Sequence, residues 1–142
     1  MGKIILLPPD VGWESCDLLL TLLEGISTRY SNLRNIVIKC RTKTQYDRIS
    51  TLYRGNKLVD IKWGYGDLLD MIDADTVVIG PPGSAFLECR SAGHRFIGIF
   101  NLQLFRGMDF FDIRRVNLMH RNGELSYTAE EALELLDKYI ND

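Results

Sequence analysis

Val77 to Phe100 reads VVIGPPGSAFLECRSAGHRFIGIF. Two apolar runs, VVIG and FIGIF, flank a turn of small residues and an amphipathic stretch. Short β-branched runs bounded by Gly and Pro fit buried strands. Ser84 to Ala92 has the length of a short helix, with Gly93 just beyond it. Strand, turn, helix and strand in that order make the repeating unit of a parallel sheet. Within this segment Glu88 is a lone carboxylate, five residues after Gly83 and five before Gly93.

The same alternation extends in both directions. KIILLPPD reads as a buried strand running into a proline-marked loop, and Ser15 is a candidate N-cap for the helix CDLLLTLLEGIS. NIVIKC, from Asn35 to Cys40, is a second strand. TKTQYDRISTLYRG follows as a helix, with Tyr46, Ile49, Leu52 and Tyr53 on one face. KLVDIKW is a third strand, GYG a turn, and Asp67 the expected cap of a short helix, DLLDMID. Beyond FIGIF, the stretch NLQLFRGMDFFDIRR reads as irregular, with aromatics suited to an interface or to the sheet. VNLMH is the candidate sixth strand and NGE a hairpin-like turn. TAEEALELLDKYI closes the chain as a helix, with Thr128 and Glu131 as its capping box.

Five or six mainly parallel strands with helices on both faces define a doubly wound, Rossmann-like α/β domain. The strands read as continuous apolar runs, the pattern of a sheet covered on both sides. A single domain over residues 1–142 is expected. Ligands of such sheets bind outside the carboxyl ends of the strands, so the loops of interest are PPDVGWES, CRTKT, WGYGD, GPPGS and FNLQLFRG.

Composition narrows the function classes. The formal net charge is −2 and the basic residues are scattered, which argues against a nucleic-acid partner. Cys16, Cys40 and Cys89 show neither metal nor redox spacing, and His94 and His120 fit no ligand pattern, so no metal is expected. Three widely spaced thiols suit a reducing, cytoplasmic setting. KIILL is too short for a signal peptide core, and no run reaches the ~20 apolar residues of a membrane span.

Gly83 and Ser84 sit where a strand ends and a helix begins, and open N–H groups at a helix start attract anions. Glu88 lies one turn further along on nearly the same face, where a carboxylate can accept hydrogen bonds from a ribose diol. A plainer account stands beside this one: Gly and Ser are ordinary capping residues, and a helical Glu usually faces solvent.

ADTVVIGPPGSAFLECRSAGHRFIGIF, from Ala74 to Phe100, resembles the donor-binding segment of the GT-B glycosyltransferase superfamily, which includes the MurG-type and polysaccharide-assembling transferases and the UDP-N-acetylglucosamine 2-epimerases. Ala74-Asp75, the apolar strand, the Gly83-Ser84 turn, and Glu88 followed by Gly93 carry the likeness. Arg95 stands where the family has proline, and Pro81-Pro82 lengthens the turn. The resemblance implies the carboxyl-terminal half of a two-domain enzyme that takes a nucleotide-diphosphate sugar as donor and needs no further cofactor. It implies that Gly83 and Ser84 hold the diphosphate, Glu88 the ribose, Val11-Gly12 the same phosphates and Tyr65-Gly66 the base. The acceptor half would come from an amino-terminal domain or a partner subunit, so the isolated chain is expected to be inactive. GSAFLE also resembles the small nucleoside deoxyribosyltransferases, with Glu88 as nucleophile, although their spacing differs. A degenerate nucleotide-binding or scaffold domain is the third alternative.

Overall fold

The computed structural model describes residues 3–8, 16–30, 35–52, 59–63, 66–100 and 113–141. Six strands form one parallel sheet: β1 (Ile4–Leu6), β2 (Ile36–Cys40), β3 (Val59–Trp63), β4 (Val77–Gly80), β5 (Arg95–Ile99) and β6 (Leu125–Ser126). Their spatial order is β3-β2-β1-β4-β5-β6, and all five pairings are parallel. This is the strand order of dinucleotide-binding sheets, and the doubly wound α/β fold expected from the alternating pattern is the fold found.

The helices are α1 (Cys16–Arg29), α2 (Lys43–Leu52), α3 (Ser84–Ser91), α4 (Ile113–Arg121) and α5 (Ala129–Asn141), with a 3₁₀ turn at Leu68–Met71. Their sides follow from handedness. From β1 the chain steps outward to β2 and β3. It then returns past β1 to β4 and moves the opposite way, and right-handed crossovers in opposite directions lie on opposite faces. One face packs Ile4, Leu6, Ile38 and Ile79 under Leu22 and Ile26 of α1, Ile49 of α2 and Leu133 and Leu136 of α5. The other packs Ile5, Val37, Val78 and Phe96 under Leu68, Phe86 and Cys89. Alternate residues of each strand thus serve two cores, which is why β1, β4 and the start of β2 read as unbroken apolar runs.

The edge strand β3 departs from that pattern. Asp60, Lys62 and Trp63 are exposed while Val59 and Ile61 are half-buried. Asp60 and Lys62 point the same way and pair at 3.6 Å. Charges on a sheet edge also discourage pairing with another strand.

Three local expectations are corrected. VNLMH belongs to α4, and the sixth strand is Leu125–Ser126 instead. Val116 is buried and Leu118 is 54% exposed, which is the pattern of a helix lying on the sheet rather than of a strand within it. NGE is not a hairpin. Gly123 has φ +74°, its N–H donates to the His120 carbonyl at 3.1 Å, and the Glu124 N–H donates to the Met119 carbonyl at 3.0 Å. That paired closure ends a helix on a left-handed glycine, and β6 then runs parallel to β5. Asp67 precedes the 3₁₀ turn but its side chain makes no capping hydrogen bond.

The capping box of α5 forms in part. Thr128 Oγ1 accepts from the Glu131 N–H at 3.1 Å, but Glu131 Oε1 accepts from the Tyr127 N–H at 3.3 Å, one residue earlier than the motif requires. Glu131 is drawn that way because its other oxygen meets His120 Nε2 at 2.6 Å, and the His120 ring stacks on Tyr127 with centroids 4.1 Å apart. His120 therefore ties α4 to α5.

Candidate functional site

The order of strands reverses between β1 and β4. α1 follows β1 on one face of the sheet and α3 follows β4 on the other, and doubly wound sheets have their ligand crevice outside the carboxyl edge at such a reversal. On the β4 side this crevice is bounded by Gly80, Pro81, Pro82 and Gly83, followed at once by α3.

Gly83 occupies the N-cap of α3 with extended backbone, φ −136° and ψ −152°. Its N–H donates to the Pro81 carbonyl at 3.0 Å, and its carbonyl accepts from the Leu87 N–H at 3.2 Å, closing the first helical turn. No side chain caps this helix. A Cβ placed on Gly83 would meet nothing within 4 Å. Neither backbone conformation nor packing among the described residues thus requires glycine here.

Ser84 and Glu88 are both exposed, and four residues of helix bring them to one side, while Phe86 and Cys89 face the core. Among the described residues the Glu88 carboxylate has no hydrogen-bond or ion-pair partner. Gly66 has φ +72°, a conformation that favours glycine at the turn after β3. Val11, Gly12 and Tyr65 lie outside the described residues.

Gly93 has a structural reason of its own. With φ +79° it ends α3, its N–H donating to the Arg90 carbonyl at 3.1 Å and the His94 N–H to the Cys89 carbonyl at 2.8 Å. The spacing from Glu88 to Gly93 is thus also the distance from mid-helix to a glycine cap. Arg95 begins β5 at the opposite edge of the sheet from the crevice. Its guanidinium donates to the Tyr139 carbonyl at 3.1 Å and lies 6.0 Å from the centre of that ring, fastening the end of α5. Burial raises the Cys89 thiol above its ordinary pKa, with the charge of Glu88 adding to the effect, so this thiol is kept neutral and is unsuited to nucleophilic work.

Two residues at this edge carried no assignment from sequence. Gly80 is buried at the end of β4, where a Cβ would stand 2.8 Å from Leu7 Cβ. Trp63 ends β3 with 38% of its surface exposed, its ring 6.3 Å from that of Tyr46. The signal for Gly80 was available as the first glycine of GPPG, but which glycine meets a neighbour depends on β1, more than seventy residues away.

Among the described residues no group of three or more His, Cys, Asp or Glu could hold a metal ion, and no helix is long and apolar enough to cross a membrane. Comparison of the chain with protein-family models, with curated proteins and with solved structures finds no match.

Proposed function

We propose that this chain is the donor-binding half of a glycosyltransferase, holding a nucleotide-diphosphate sugar for the synthesis of a polysaccharide or glycoconjugate. The observation that carries it is Gly83: a glycine with no steric duty among the described residues, at a helix start that no side chain caps, beside the strand-order reversal. The diphosphate lies against the first N–H groups of α3, next to the Ser84 hydroxyl, where the helix dipole favours negative charge. Glu88 accepts hydrogen bonds from the ribose diol one turn along. Trp63, at the same edge of the sheet, offers the base an aromatic wall near Gly66.

The acceptor site and the general base come from a second half, an amino-terminal domain or a partner subunit. Free, buried thiols at Cys40 and Cys89 fit a cytoplasmic setting, where nucleotide sugars would be met.

The test is calorimetric titration of the chain with UDP, CDP and GDP, followed by donor-hydrolysis and transfer assays. Weak binding that falls with added salt is expected, because the cleft has one wall and the phosphates supply most of the attraction. Glu88→Gln should weaken that binding by about 1–3 kcal/mol while leaving the fold intact. Unchanged affinity would return Glu88 to the solvent face. Robust sugar transfer by the purified chain would overturn the half-enzyme proposal, and binding of no nucleotide would favour a scaffold.

A further inference from the structure

We infer that the β6 edge of the sheet is a self-complementary surface, on which a second copy of this chain docks with its α4 beside α5 of the first. This edge lies apart from the crevice, and the inference does not depend on the nucleotide reading.

Charge points to the partner. α4 carries Arg114, Arg115 and Arg121 and no acid, a formal +3 with His120 neutral. α5 carries four acids, Glu130, Glu131, Glu134 and Asp137, against Lys138, a formal −3. The whole chain is only −2, so these two helices concentrate opposite charges. They flank β6, the last strand, α4 on one face of the sheet and α5 on the other. Within one chain Glu131 meets His120, and Arg29 takes Glu130 at 3.1 Å and Asp137 at 3.2 Å. Arg115, Arg121 and Glu134 are exposed, and among the described residues none of the three has an ion-pair partner.

Shape agrees with charge. Spacing of three sets Arg115, Leu118 and Arg121 along the side of α4 away from buried Val116. Leu118, at the centre of this strip, is 54% exposed. Next to it a notch of about 120 Å³ is lined by Leu125 and Leu135 and edged by His120, Glu131, Glu134 and Lys138. A basic knob with a leucine at its centre thus lies beside a partly apolar socket with acids on its rim.

Two copies of α4 set side by side repel each other. A two-fold axis along the sheet edge, parallel to β6, avoids this because it exchanges the two faces. It sets α4 of each copy beside α5 of the other, and every contact is made twice. Leu118 enters the second copy's notch, and Arg121 meets the second copy's Glu134. An unrelated acidic protein would use only the basic half of this surface. Both halves side by side favour a second copy.

The experiment is sedimentation equilibrium of the whole chain, of Arg121→Glu and Glu134→Lys separately, and of the two variants mixed one to one. Circular dichroism checks folding. Wild type should dimerise, and added salt should weaken the dimer. Each reversal sets like charges together twice per dimer and should weaken self-association at least about tenfold. The mixture should dimerise within about threefold of wild type, because the two-fold axis then pairs opposite charges at both contacts. If either reversal fails to fold, Leu118→Ala decides: a loss of about tenfold supports the inference and no loss overturns it. Reversals that leave the dimer intact, or a folded mixture that fails to restore it, also overturn the inference. So does a wild-type chain still monomeric at about 1 mM. Flotation of that monomer with phosphatidylserine vesicles would then assign α4 to a lipid surface, and failure to float would assign it to a different protein.

Discussion

Two junctions in this chain are built to one plan and lead to different ends. α3 closes on Gly93 and feeds β5; α4 closes on Gly123 and feeds β6. In each, a left-handed glycine donates to the carbonyl three residues back, and the next residue donates to the carbonyl five back. Position by position, Cys89 matches Met119, Arg90 matches His120 and His94 matches Glu124. Past the glycine the two diverge: Phe96 stands where the second junction has Ser126. Phe96 is fully buried and meets Phe86 edge to face at 5.2 Å. Ser126 is equally buried, but among the described residues its hydroxyl has no hydrogen-bond partner. β5 runs for five residues between two neighbours and β6 for two at the edge. The cap ends a helix in the same way at both sites, and the residues beyond the glycine decide how much sheet is built.

The sharpest way to break this comparison is to remove the side chains that distinguish the strands. Phe96→Ala should cost about 3–5 kcal/mol, the range for a large aromatic lost from a packed core. Leu125→Ala, at the edge, should cost less, nearer about 2–3 kcal/mol. Chemical denaturation of both variants checks this, and equal losses would mean that the edge strand is as firmly held as the inner one. The caps should behave alike. Gly93→Ala and Gly123→Ala should each cost about 1–2 kcal/mol, because the strain of a left-handed alanine is local. A difference above about 1 kcal/mol between them, read from thermal unfolding, would show that one cap is coupled to its strand. The smallest effect concerns the link between the junctions. Arg90 Nη2 pairs with Glu124 Oε1 at 3.0 Å, with both side chains partly exposed. Glu124→Gln should cost no more than about 0.5 kcal/mol and lose its effect in high salt, as surface pairs do.

These junctions also mark where sequence was readable. SAGHR announced a helix end because FLECRSA before it has helix length and FIGI after it is plainly a strand. NGE carried the same cap, yet Asn-Gly is also the strongest short hairpin signal, and VNLMH before it is too short to separate a period of two from 3.6. The helical spacing of Ile113, Val116 and Met119 was present but hidden, because the residues before it read as irregular. Val116 finds its partners in Phe100, at the end of the strand legible as FIGIF, and in Leu125, on a strand that the local pattern does not declare.

By itself the sequence determined the alternation of strands and helices, the parallel character of the sheet, the cap at Thr128, and the placing of Gly83, Ser84 and Glu88 at one helix start. All of these rest on residues within a few positions of each other, where periodicity and backbone preference act. Only the tertiary structure decided that β6 lies parallel at the edge, that Glu131 turns to His120, that Arg95 fastens α5, and that Gly80 must be bare so that Leu7 can close on it. Each of these pairs residues far apart in the chain, and a contact made by packing leaves no mark in the local pattern of either partner.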